Sequence, residues 1–475
     1  MRSVAKLFCF FFLLTASFFS CKKDAVEILR NNPPTIPTIN KLPVANAGKD
    51  TVLKLPVDLL NTPLVLDGSG SHDTDGTITA YAWEKIAGPD LYCLDRFGSN
   101  ASLRCMLPGN YSFRLKVTDN DGGISYDTVM VTGLGQPRPT VNVRLESLAE
   151  HFFAGATLKA TTTEGKIFFV ADNATRVDIY NISLHSWSNT QLSLAREGLA
   201  IVPIGNKVLF AGGGIRATTY TLVYFDVVYK YTPVSTVDIY DATRNAITTA
   251  DLSVGRLNCA AAVLDKKVFI AGGNSPNLYG TAGLLSNRVD VYNSATNAWS
   301  IDTLSQNRTR ISAATIMDKI MFAGGSGSND LSSVIDIYDG INNKWTIDKL
   351  TDAGVVSSIS SGSKVFWLSN RYHTNLSGLY NLEIYDLNTH QRSYDVTYWP
   401  SFGPTAQLVV SNNKMLVINT SISGLPLTLI DILDLSSNTW SVAQLNETLQ
   451  GCAIISVANK IYVAGNGKLR TLDGY

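Results

Sequence analysis

The chain has 475 residues, 45% of them apolar and only 16% charged. That is ample material for more than one globular core. Basic and acidic residues balance at 39 each, so the surface lacks the positive field that a nucleic-acid partner requires. Abundant Gly, Tyr, Thr and Ser, with few long helical periodicities, point to an all-β protein.

Residues 1–21, MRSVAKLFCFFFLLTASFFSC, have a short basic start, about a dozen apolar residues and small residues before a cysteine. The apolar run is too short to span a bilayer and reads as an export signal. Its removal takes Arg2 and Lys6 and moves the balance to 37 against 39. Cys21, after Ala16, Ser17 and Ser20, resembles the lipidation cysteine of bacterial lipoproteins, with plain cleavage near the site as the alternative. The resemblance implies a membrane held through acyl chains, in a bacterial envelope and outer-membrane setting, facing either the periplasm or the medium. Residues 22–42 form a linker, stiffened by the prolines of NNPPTIPT.

Residues 43–134 read as a separate unit. Short alternating strands are divided by turns rich in Asp, Gly and Ser, with Trp83 on a central strand and Tyr111, Phe113, Leu115 and Val117 alternating into a core. PVANAGKDTVLKL, LDGSGSHDTDGTITAYAWEKIAGP and GNYSFRLKVTDNDGGISYDTVMV resemble the polycystic kidney disease (PKD) domain, an immunoglobulin-like sandwich. Asp67, Asp73, Asp75, Asp119, Asn120 and Asp121 offer either a calcium site or side chains that cap turns through backbone amides. No ligand loop of recognised calcium spacing is present, and no metal or other cofactor is expected. Cys93 and Cys105 stand close enough to staple an irregular loop by a disulfide, worth roughly 3 kcal/mol.

Residues 139–475 repeat one pattern at a period of roughly 40 to 50 residues, the mark of a propeller or another repeat architecture. VDIYN at Val177, VDIYD at Val237, VDVYN at Val289, IDIYD at Ile335, EIYD at Glu383 and IDILD at Ile430 are one strand repeated. A Trp follows seven residues after Tyr180, Tyr292, Tyr338 and Leu433, and Gly-Gly pairs end the second strand at Gly212, Gly272 and Gly324. Together these residues resemble the kelch repeat, which implies a β-propeller. Lys166, Lys207, Lys267, Lys319, Lys364, Lys414 and Lys460 each open a second strand and argue for seven blades, with six as the alternative. The last blade lacks an outer strand, which TVNVRLESL at 140–148 would supply, pairing with 469–473 to close the ring. Cys259 and Cys452 fall on inner strands of blades that are not neighbours and read as small buried hydrophobes.

Function is sought on the face that carries the loops between second and third strands. Its longest insert, 214–236, holds Tyr220, Tyr224, Phe225, Tyr229 and Tyr231, and residues 370–379 add Arg371, Tyr372 and His373. Such loops on a rigid scaffold suit a glycan or a protein partner; the alternative is an extra hairpin packed on its own aromatics. Arg196, Arg256 and Arg308, each eleven residues before a blade lysine, read either as a charged rim for an anionic ligand or as structural bonds between blades. The resemblance also admits a sugar-active kelch enzyme, like a sialic acid isomerase or a radical oxidase. His72, His151, His185, His373 and His390 do not cluster as an oxidase's metal ligands would. The expectation is therefore a monomeric, membrane-anchored, non-catalytic binding or scaffold protein without nucleic-acid partners.

Overall fold

The computed structural model describes residues 39–54, 64–89, 91–106, 109–134, 140–148, 157–223, 226–275, 283–328, 330–370, 379–398, 406–419, 429–449 and 451–475. Every regular element among them is a β-strand.

In the N-terminal unit, Thr51–Lys54, Ile124–Leu134, Gly109–Asp119 and Ile78–Ala87 lie side by side in that order as one sheet. Leu64–Asp67, Asn100–Met106 and Leu91–Phe97 form the other. Strand Gly109–Asp119 alternates as its sequence demands: Tyr111, Phe113, Leu115 and Val117 are fully buried. They pack with Trp83, Leu103, Val129 and Val131 between the sheets. Trp83 satisfies its indole N–H on the Ser99 carbonyl at 2.9 Å.

The segment carrying Cys93 and Cys105 is a regular hairpin rather than an irregular loop. Cys93 is the register partner of Arg104, with Cys105 next in line. The two thiols themselves lie outside the described side chains.

The C-terminal unit is a ring of seven four-stranded antiparallel blades among the described residues, the sixth and seventh merging into one eight-stranded sheet. Blades 1 to 6 span 158–196, 200–251, 260–303, 312–349, 355–398 and 406–445. Blade 7 takes its first three strands from 453–473 and its outer strand from Thr140–Leu148. That strand runs antiparallel to Lys468–Asp473 from Lys468↔Leu148 to Asp473↔Asn142. Its first residues also pair in parallel with Gln444 and Leu445 of blade 6. Each inner strand touches the next all the way round, blade 7 meeting blade 1. The inner edges of the blades are therefore short and gathered at the centre of the ring.

Two repeated devices set the register. The lysines Lys166, Lys207, Lys267, Lys319, Lys364, Lys414 and Lys460 each begin a second strand. The third-strand tyrosine bonds to a turn residue five positions on: Tyr240 to Asn245 at 2.7 Å, Tyr292 to Asn297 at 2.7 Å and Tyr338 to Asn343 at 2.8 Å. His185 and His390 take this place beside Tyr180 and Tyr385. All five turn residues have positive φ, a conformation that Asn tolerates better than most residues.

Inner strands of neighbouring blades are joined by side chains instead of ladder bonds. Thr315 Oγ1 donates to the Val263 carbonyl at 2.8 Å, Ser360 Oγ to the Thr315 carbonyl at 2.6 Å, and Gln407 Nε2 to the Cys452 carbonyl at 3.1 Å. Away from the loop face, a cavity of about 550 Å3 lies against Thr162, Ile201, Pro203, Ala261, Val263, Ala313 and Thr315.

Candidate recognition site

The links between blades bring the three aligned arginines into the protein rather than to its rim. Arg196, Arg256 and Arg308 are each 0% exposed. Arg256 donates from Nε to Gly272 O at 2.8 Å, from Nη1 to Val254 O at 3.0 Å and from Nη2 to Ile270 O at 3.0 Å, and its Nη2 lies 2.6 Å from Asp290 Oδ2. Arg196 pairs with Asp238 and Arg308 with Asp336 in the same way. The far oxygen of each carboxylate accepts an amide from the preceding blade: Ser193 to Asp238 at 3.1 Å, Ser253 to Asp290 at 2.8 Å and Ser305 to Asp336 at 2.9 Å. Each set is a clasp between consecutive blades. The reading of these arginines as a ligand-facing charged rim is thereby corrected: their charge is spent on buried carboxylates and strand-end carbonyls.

The rim itself is made by the next two residues of each link. Glu197, Leu257 and Thr309 bridge by backbone to Gly214, Asn274 and Ser326 at the exits of the second strands. Gly198, Asn258 and Arg310 follow, all with positive φ. They form a chain around part of the mouth, Asn258 N to Gly198 O at 2.8 Å and Arg310 N to Asn258 O at 3.3 Å. Asn274 Oδ1 accepts both Asn258 Nδ2 at 3.2 Å and Thr309 Oγ1 at 3.0 Å. The close backbone approach here explains the Gly-Gly pairs. A Cβ on Gly213, at φ +100, would lie 2.9 Å from the Glu197 carbonyl oxygen.

On the blade 1 side, half-buried Lys159 donates to the Leu199 carbonyl at 2.5 Å, and Asp172 accepts the Gly198 amide at 3.2 Å. Burial pulls the Lys159 ammonium down from its usual pKa and pushes the Asp172 carboxyl up, each opposed by the other's charge. Cys259, also at this mouth, is raised to about 11 by burial. Glu197 accepts Tyr231 Oη at 2.6 Å and Arg216 Nη1 at 3.0 Å. Burial and then the Glu197 bond push the Tyr231 hydroxyl well above the ordinary phenol range.

Those two partners of Glu197 belong to the blade 2 insert. Gly214–Val223 and Asp226–Pro233 form a two-stranded antiparallel hairpin of their own, separate from the blade sheet. Tyr220 and Tyr229 are register partners in it. Their side chains, and Tyr224 entirely, lie outside the described residues, as do Arg371, Tyr372 and His373 of the blade 5 loop and Cys21. The structure thus brings Tyr231 to the mouth. Sequence reasoning missed Glu197, Asn258, Arg310, Lys159 and Asp172. For Glu197, Asn258 and Arg310 the signal was the repeated triplet that begins with each link arginine, whose third position has a left-handed backbone.

In the PKD-like turns, Asp67 accepts the Ser69 amide at 2.9 Å, and Asp119 those of Asp121 at 2.9 Å and Gly123 at 2.7 Å. Asn120 accepts the Thr77 amide at 2.6 Å and Asp75 that of Lys41 at 3.1 Å. These side chains shape the turns.

Comparison with known families matches residues 47–132 to "K319L-like, PKD domain" and residues 255–301 to "Kelch motif". The chain joins a PKD-like domain to a kelch-type propeller. Low-density lipoprotein receptor-related protein 11 of Mus musculus is 38% identical over 122 residues, 25% of this chain and 24% of that protein. The dyslexia-associated protein KIAA0319 homolog of Mus musculus is 39% identical over 93 residues, 19% of this chain and 8% of that protein. The chain therefore spans a quarter or less of these curated relatives. The solved structure of YjhT aligns with 68% of this chain and 95% of its own at a TM-score of 0.42 and 11% identity. A PKD-like domain with a kelch propeller fits a binding or scaffold protein in an extracellular or envelope setting.

Proposed function

We propose that the chain is a membrane-tethered recognition protein. A lipid on Cys21 holds it to the membrane, the PKD-like domain acts as spacer, and the loop face of the propeller binds a glycan or protein partner. The observation that supports this reading is the seated hairpin. Tyr231 and Arg216 converge on Glu197 beside a mouth lined by Asn258, Asn274, Thr309 and Arg310. Arg216 and Tyr231 satisfy the Glu197 charge, so the mouth offers mixed donors and acceptors more than a single sign of charge. That chemistry matches hydroxyl-rich or peptide surfaces.

The test uses residues 22–475 on a glycan array and on an array of defined surface proteins, beside a variant whose 217–230 segment is replaced by a short Gly-Ser turn. Binding that disappears with the hairpin supports the reading. Binding that the trimmed protein retains in full refutes it. Radiolabelled palmitate incorporation, abolished by Cys21→Ser, checks the tether.

A further inference from the structure

On the face opposite the mouth, the seams between blades repeat one polar theme. The lysine that opens a second strand faces the next blade, whose third strand presents a tyrosine. Between blades 2 and 3, Lys207 Nζ donates to Tyr292 Oη at 3.1 Å and to Asn297 Oδ1 at 2.9 Å. Between blades 7 and 1 the equivalent pair, Lys460 and Tyr180, grips a carboxylate. Glu146 accepts Lys460 Nζ at 2.9 Å and Tyr180 Oη at 3.1 Å.

Between blades 3 and 4 the lysine and the tyrosine are both present, as Lys267 and Tyr338, and among the described residues no carboxylate bonds to either of them. Tyr338 donates to Asn343. Lys267 has no hydrogen-bond or ion-pair partner among the described residues. It lines a cavity of about 340 Å3 together with Leu264, Phe269, Asn293, Tyr338 and Gly340. The same Lys267, Phe269, Asn293 and Tyr338 border a second space of about 240 Å3 that extends to Val291 and Asp302.

Gly340 helps keep the cavity open. The corresponding turn positions, marked by the same amide-to-carbonyl bond, hold Ile182, Ala242 and Ser294. A Cβ at Gly340 would lie 2.5 Å from Leu264 Cδ2.

We infer that the seam between blades 3 and 4 binds a small organic acid. Its carboxylate takes, against the Lys267 ammonium, the part that Glu146 plays against Lys460 at the closing seam, while the Tyr338 proton stays with Asn343. Its compact apolar body lies against Phe269, Val291 and Leu264. A carboxylate bonded to an ammonium in a half-buried cleft gains a charge-assisted hydrogen bond that a neutral amide does not. The cavity has the size of a small-ligand site. Asp302, which holds Trp345 Nε1 at 2.7 Å on the far side, and exposed Asp265 at the entrance disfavour a second negative charge. The site therefore selects monocarboxylates. It lies on the opposite face from the hairpin, so its test is independent of the one above.

Calorimetric titration of residues 22–475 with benzoate and cyclohexanecarboxylate, and with benzamide as the neutral counterpart, tests the assignment. At least one acid binds, benzamide binds about tenfold or more weakly, Lys267→Gln weakens the acid about tenfold, and Lys207→Gln leaves it unchanged. Gly340→Ala, which narrows the cavity without touching the charge, weakens it as well. The assignment is overturned if neither acid binds up to about 10 mM. It is equally overturned if benzamide matches the acids, or if a folded Lys267→Gln protein binds them as the parent does.

Discussion

Arg470 Nε lies 2.5 Å from Glu447 Oε1, which places the positive charge of the blade 7 clasp on the third strand. Blades 2, 3 and 4 place a negative charge at that position, on Asp238, Asp290 and Asp336. In blade 5, where Ala353 replaces the link arginine, Arg392 of the outer strand serves Glu383 instead. The pairing is kept while its donor moves. Arg470→Asp alone leaves two carboxylates facing each other. Adding Glu447→Arg restores opposite charges, and urea denaturation should show a coupling of about 1 kcal/mol or more between the two changes.

The buried clasp of blade 3 behaves differently from a surface ion pair. Arg256→Ala strands Asp290 and several strand-end carbonyls, at a cost of about 3–5 kcal/mol. The joint Arg256→Met and Asp290→Leu protein loses less, because it leaves no lone charge behind. Denaturation midpoints of the two variants decide the order.

Glu146 links the closing seam to pH. Burial raises its pKa, but bonds from Lys460 and Tyr180 and the charges of Lys460 and His185 outweigh that and hold it below the ordinary 4.5. A carboxyl depressed by folding contributes stability that is complete above its unfolded value and fades as pH falls through the folded one. Glu146→Gln should therefore cost about 1–3 kcal/mol near neutrality. The gap from the parent should narrow in melts taken below about pH 4.

The two propeller thiols should resist alkylation. Burial pushes both Cys259 and Cys452 up to about 11, so little thiolate exists at pH 8. Iodoacetamide labelling followed by mass spectrometry should be slow in the folded protein and fast in denaturant. Rapid native labelling of either residue would contradict this placement.

The repeat was legible because its signals are local: a lysine, an alternating strand, a tyrosine and a turn residue recur at fixed spacing. The closing strand was legible from the alternation of Val141 and Val143, which the structure buries. The destination of the link arginines was not. Arg256 and Asp290 are 34 positions apart, and only laying the strands of a blade in register brings them together. The regular Asp at Asp238, Asp290 and Asp336 was the available sign, since a carboxylate repeated inside a buried strand calls for a partner. The hairpin's two strands follow from its sequence, whereas its seating depends on Glu197, a residue of the preceding link.

Glu146 and Lys460, which meet at the last seam, are 314 positions apart. During synthesis the strand that holds Glu146 leaves the ribosome before any blade exists to receive it. Glu146 itself must remain unmatched until the hairpin that carries Lys460 emerges. Completion of the circle therefore waits for that late hairpin, and the loop-closure entropy of so distant a contact makes that docking the natural slow step of folding.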